Sequence, residues 1–233
     1  MRRALLLLMA GILGCGSDLL LPDAPAGSEN VALTKLDGDA QIGTVGEALQ
    51  KPLLVQVLTD RQQPAAGRKV VFGLSTDSAA GQVSPDTSVT NEAGIASAHW
   101  VLGTAPGSHV VVARLVGIEG HSLEFTADAN AAPPDTLSAE SPLAQPGLRR
   151  QEVGTPPSVR VVDRYGNPVQ NTPVAWQVTA GQGEVSEPIS NTDADGNATV
   201  RWTLGNRVGV HKLTAAIGSV TGSPVTFTAH VLF

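Results

Sequence analysis

Few residues of this 233-residue chain are of types that could do chemistry: one cysteine, five histidines, a short run of carboxylates and three tryptophans. Cys15 is the only thiol, so no disulfide and no two-cysteine metal or redox pair can form within the chain. The histidines are His99, His109, His121, His211 and His230. His109 is in phase with Val111 and Ala113, and His211 with Leu213 and Ala215, which puts both at the edge of a core rather than on a metal. Asp193-Ala194-Asp195-Gly196-Asn197 has two readings. Oxygen ligands on a tight turn suit a hard cation such as calcium. An EF-hand loop, however, needs a carboxylate at its twelfth position, which here is Leu204, and the matching turn in the first half of the chain is Asn91-Glu92-Ala93-Gly94. The reading taken is a hairpin turn, in which Asp and Asn bond their own backbone and Gly takes a positive φ. No metal and no cofactor are expected.

Trp100, Trp176 and Trp202 suit either a sugar-stacking platform or a core, and their phase with apolar neighbours favours the core. That leaves Tyr165 as the plausible contact residue. The chain has no G-x-S-x-G, no H-E-x-x-H and no Gly-rich phosphate loop, so no catalytic residue is assigned and no enzyme is expected.

Cys15 gains meaning from what precedes it. Arg2-Arg3 leads into an apolar run from Ala4 to Leu13 that ends in Gly14-Cys15, the charged, apolar and small regions of an export signal. The run falls short of the about 20 apolar residues that cross a bilayer. Ile12-Leu13-Gly14-Cys15 resembles the lipobox of bacterial lipoproteins, with Ile12 and Leu13 where Leu and a smaller residue are commoner. The resemblance implies a signal peptide over 1–14, cut before Cys15, and acylation of that cysteine as a membrane anchor. Gly16, rather than an Asp, follows Cys15, which by analogy with the sorting rule of enteric bacteria implies the outer membrane. It leaves open the cell surface or the periplasmic face.

The elements beyond the anchor repeat. Thr90, Gly94, Trp100, Gly107, His109 and Phe125 recur 102 positions later as Thr192, Gly196, Trp202, Gly209, His211 and Phe227. Earlier in the unit the offset drifts by one or two: Asp60-Arg61 is matched to Asp163-Arg164, Pro64 to Pro168, Val70 to Val174 and Phe72 to Trp176. Two like domains are implied, over 31–129 and 137–233. A Pro- and Gly-bearing tether covers 15–30, and a linker over 130–136 is stiffened by Pro133-Pro134. Each unit is large enough to fold without staples. Apolar residues alternate with period two, as in Ala98, Trp100 and Leu102 or Val70, Phe72 and Leu74, and Gly166-Asn167-Pro168 and Ala105-Pro106-Gly107 read as turns. Short strands punctuated by turns, with no sustained helical stripe in the mature chain, point to all-β sandwiches. With 15 Lys and Arg against 21 Asp and Glu the net charge is −6, scattered without a basic run. That argues against nucleic acid or anionic lipid as a partner.

Asp163-Arg164-Tyr165-Gly166-Asn167-Pro168-Val169, Val174-Ala175-Trp176, Gly181-Gln182-Gly183, Thr192–Ala198 and Gly209–Ala215 together resemble the bacterial Ig-like group 1 (Big-1) domains of invasins and intimins. The first repeat keeps Gln41, Gly43, Gly46, Leu49 and Pro52 of the family's lead-in, but has Asp60-Arg61-Gln62-Gln63-Pro64 in the turn that usually carries an Asp, a Gly and an Asn before the Pro. The resemblance covers about residues 31 to 231. It implies two tandem immunoglobulin-like β-sandwiches, about seven antiparallel strands each and without disulfides, used as a rod that would extend about 50 to 70 Å. The implied role is non-enzymatic: a lipid-anchored surface spacer or adhesion module. Invasin-like adhesins carry a receptor-binding head past the stalk, and here the sequence stops at Phe233, after the last strand of repeat two. The alternative is a periplasm-facing lipoprotein that binds a partner of an envelope or export assembly. The sequence does not name a protein or glycan ligand.

Overall fold

The alternation along each strand becomes one buried and one exposed face. Between Ile95 and Val101, Ala96, Ala98 and Trp100 are buried while Ser97 and His99 are exposed. A computed structural model describes residues 30–75 and 81–232, so Cys15, the apolar run before it and the tether lie outside the described residues. The first sandwich contains β1 (Val31–Asp37), β2 (Gln41–Thr44), β3 (Leu53–Thr59), β4 (Lys69–Leu74), β5 (Gln82–Ser84), β6 (Thr87–Val89), β7 (Ile95–Val101), β8 (Gly107–Leu115) and β9 (Ser122–Asn130). The second contains β10 (Pro134–Ala139), β11 (Ala144–Gly147), β12 (Ser158–Asp163), β13 (Pro173–Ala180), β14 (Gly183–Val185), β15 (Ile189–Asn191), β16 (Asn197–Thr199), β17 (Trp202–Leu204), β18 (Gly209–Ala216) and β19 (Val225–Val231).

One sheet of the first sandwich runs β1-β3-β7-β5 and the other β2-β9-β8-β4-β6. The second repeats the plan, with β10-β12-β16 and β14-β17 facing β11-β19-β18-β13-β15. Here β16 and β17 together occupy the place of β7. In each sandwich the opening segment leaves its first sheet and joins the other beside the last strand. It pairs there in parallel, β2 with β9 and β11 with β19, while the remaining pairings are antiparallel. Switching sheets lets one stretch of chain form an edge of both sheets, and the opposite edges are the three-residue strands β5, β6, β14 and β15, short edges that resist edge-to-edge pairing.

Each sandwich has its own core. Trp100, Phe72 and Phe125 anchor the first, and Trp202, Trp176 and Phe227 the second. All three tryptophans are buried, as their phase indicated. Trp176 also lies tilted against Phe227 at 6.2 Å between ring centroids. Leu74 departs from its pattern, because β4 runs out of the core at its end and leaves that side chain exposed.

The repeat alignment is corrected in one turn. In the first sandwich Leu58 bridges Pro64 and the Thr59 amide donates to the Gln63 carbonyl; in the second Val162 bridges Pro168 and the Asp163 amide donates to Asn167. Thr59 is therefore the counterpart of Asp163, and Asp60 that of Arg164, so the Asp60-Arg61 match is out by one residue. Pairing and the left-handed residue of the turn set the register, and the latter is Gln62 (φ 60°) against Gly166 (φ 84°). From Gln41 and Gln145 to Phe72 and Trp176 the offset is a constant 104. It becomes 102 by Gly81 and Gly183, which sit alike against Val101 and Thr203, so the two extra residues of repeat one fall between Leu74 and Gly81.

Candidate functional site: the joint between the sandwiches

Among the described residues considered for chemistry, two histidines and the Asp193 turn are engaged in structure. His109 and His211 are buried, and each donates from Nε2 to a carbonyl four residues back, Ala105 at 2.9 Å and Arg207 at 2.8 Å. Each ring thus pins the loop that leads into its strand. The Asp193 carboxylate accepts from the Asp195 and Asn197 amides, both at 2.9 Å, which is the geometry of a self-capped turn. Among the described residues no group of three or more His, Asp or Glu side chains is placed to hold a metal. His99, His121 and His230 are separate and outside both cores.

The densest polar constellation is at the contact between the two sandwiches. Asp163 closes β12 and is 2% exposed. Its Oδ1 accepts from the Tyr165 amide at 2.8 Å and the Asn167 amide at 2.9 Å. Its Oδ2 accepts from Asn167 Nδ2 and from the amide of Ala132 in the connecting segment, both at 2.9 Å. Asn167 Nδ2 donates again, to the Thr104 carbonyl of the first sandwich at 2.8 Å. Burial pushes the Asp163 carboxyl up, but the bonds from Asn167, Ala132 and Tyr165 outweigh it and hold it below the ordinary aspartate value. Ala132 itself packs into the first core.

Tyr165 completes the contact. Its ring covers Gly46 of the first sandwich, in the place where a Cβ on Gly46 would have to go. Gly46 has φ 73°, and its amide is bonded to Gly103. The Arg164 guanidinium lies over the same ring, 4.9 Å from its centroid. Tyr165, 39% exposed as its turn suggested, is therefore also engaged in an intramolecular joint through the end of its ring. One turn of the second sandwich thus grips the connecting segment, the loop at Thr104 and the turn at Gly46. In the corresponding turn of the first sandwich the Thr59 hydroxyl stands where the Asp163 carboxylate does, and its Oγ1 accepts from the Gln63 amide at 3.3 Å. The signal for the joint was present in the sequence as the difference between the two turns, but its partners Gly46, Thr104 and Ala132 are far away in the chain.

With this geometry in view, residues 155–229 match the bacterial Ig-like domain (group 1). The second sandwich is a domain of that kind, and the first has the same strand order. Among solved structures the chain is similar to FdeC, an Escherichia coli adhesin, with a TM-score of 0.55 at 15% identity over 87% of this chain and 64% of that one. It is also similar to InvD of Yersinia pseudotuberculosis, with a TM-score of 0.51 at 15% identity over 86% of this chain and 57% of that one. At this identity the likeness is one of fold, and the chain spans less than two thirds of either structure. No curated protein sequence matches the chain at a significant level.

Proposed function

We propose that the chain is a non-enzymatic envelope protein, anchored by a lipid on Cys15, whose two sandwiches act as a surface spacer or adhesion module. The observation that carries this reading is the joint. A carboxylate with four donors, a ring seated on a glycine and a side-chain bond to Thr104 hold one sandwich against the next, as a spacer that must transmit direction requires. The adhesin of similar fold supports an adhesive setting. The buried histidines and the self-capped Asp193 turn support a role without chemistry.

Protease shaving of intact cells, with a periplasmic protein as control, tests the placement. Digestion of the sandwiches on intact cells is the expected result. Protection until the outer membrane is opened would overturn it in favour of the periplasm-facing reading. Cys15→Ser should abolish incorporation of labelled palmitate and release the chain from the membrane fraction; a variant that still partitions with membranes would sink the anchor.

A further inference from the structure

The pole of the second sandwich away from the joint is the repeat-equivalent of the pole of the first that receives Tyr165, and it has been rebuilt. Arg150 is the counterpart of Gly46: its φ is 58° against 73°, and its amide reaches the Gly205 carbonyl as that of Gly46 reaches Gly103. Beside it lies an open cleft of about 460 Å³ lined by Arg150, Gly183, Glu184, Thr203 and Leu204. A tyrosine could not seat over Arg150 as Tyr165 does over Gly46.

At the same pole the other sheet of the sandwich ends in an apolar row. Gly147, Val231 and Gly209 are neighbours on β11, β19 and β18. One residue further on, Leu148, Leu232 and Val208 continue the same three chains, exposed by 50%, 70% and 58%. Val210, 47% exposed, extends the patch along β18 beside its register partner His230. At the equivalent places the first sandwich has Thr44, Asn130, Pro106 and Ser108, so the fold does not demand these aliphatic side chains. Arg149, Arg150 and Arg207 occupy the turns that close the pole, and among the described residues no carboxylate pairs with any of them. The turns at this pole thus carry three arginines, with Glu184 and Glu152 the acids on either side of Thr203 and Glu152 already paired with Arg201.

We infer that this pole is a protein-binding face whose partner presents an acidic loop, with carboxylates for Arg149, Arg150 and Arg207 and aliphatic side chains for the Leu148, Leu232, Val208 and Val210 surface. The same pole of the first sandwich already takes a protein turn, so the position is one the architecture uses for docking. Exposed aliphatic side chains together with arginines have the composition of protein interfaces, and the guanidinium fork matches carboxylates in a bidentate way. A glycan would want an exposed aromatic ring, and the tryptophans are all in the cores. A second copy docking through the same face would set like charges against each other. The face holds whether the sandwiches lie outside the cell or in the periplasm, so its failure and that of the placement above are separate outcomes.

The test is selection of a phage-displayed library of random 12-residue peptides on the purified full chain, with sulfated dextran and phosphatidylglycerol vesicles as competing polyanions. Enriched peptides should combine Asp or Glu with Leu, Ile or Val, and should lose at least about tenfold in affinity on Arg150→Glu and on Leu232→Ser, and on raising the salt. Arg150→Gln, with a melting curve like that of the wild type, separates lost binding from lost folding. Peptides without acidic bias, no enrichment, or affinity unchanged in both variants would overturn the assignment. So would arginine-dependent binding of the dextran or the vesicles in the absence of selected peptides.

Discussion

Replacing Gly46 with arginine should free the two sandwiches from one another while leaving each folded. Gly46 sits at φ 73°, and an L-residue there costs about 1–2 kcal/mol. Arg150 adopts φ 58° at the equivalent position of the second sandwich, so the turn itself accepts that side chain. The first sandwich should therefore lose about 1–2 kcal/mol, and its Tm should fall by about 4–16 °C for a domain of this size. The new Cβ occupies the place of the Tyr165 ring, and displacing the ring also removes the 2.8 Å bond from Asn167 to Thr104, which adds about 1 kcal/mol to the loss at the joint. Residual dipolar couplings on the labelled chain read the outcome directly: one alignment tensor should fit both sandwiches of the parent, and two different tensors should be needed in Gly46→Arg. A variant whose sandwiches still share one tensor would refute the claim that Tyr165 on Gly46 sets their relative orientation.

Two further effects follow from the same contacts. Asp163 is held below its ordinary value in the folded state, so its contribution is fully present above the unfolded aspartate pKa of about 3.9 and is lost as pH falls through the folded one. Melting of the second sandwich followed from pH 6 to pH 3 should show a loss in the acid range that is shallower in Asp163→Asn; identical profiles would contradict the four-donor assignment. Gly181 has φ 92°, and a Cβ there would enter the buried His211 ring. Gly181→Ala should cost about 2–4 kcal/mol in urea unfolding, and a loss under 1 kcal/mol would mean that the ring has room to move.

The strands were legible because burial of one face writes itself into every second residue. Ala98, Trp100 and Leu102 declare a half-buried strand without reference to any other part of the chain, and the recurrence of Trp202 declares a second copy. The histidines were legible for the same reason, since His109 and His211 share the phase of core residues. The turns were harder to align, because a turn is held by backbone pairing that tolerates Thr59 in one copy and Asp163 in the other. A match of side-chain letters therefore slipped by one residue.

The sequence by itself determined the two all-β units and their cores, because these follow from local periodicity, composition and repeat spacing. Only the tertiary structure decided what the exposed turns do. Tyr165 meets Gly46 across more than a hundred residues, and the turns of Arg150 and Gly205 are bonded at one pole from different loops. Such contacts depend on how the sheets place the ends of distant strands, and no local pattern of residue types encodes that distance.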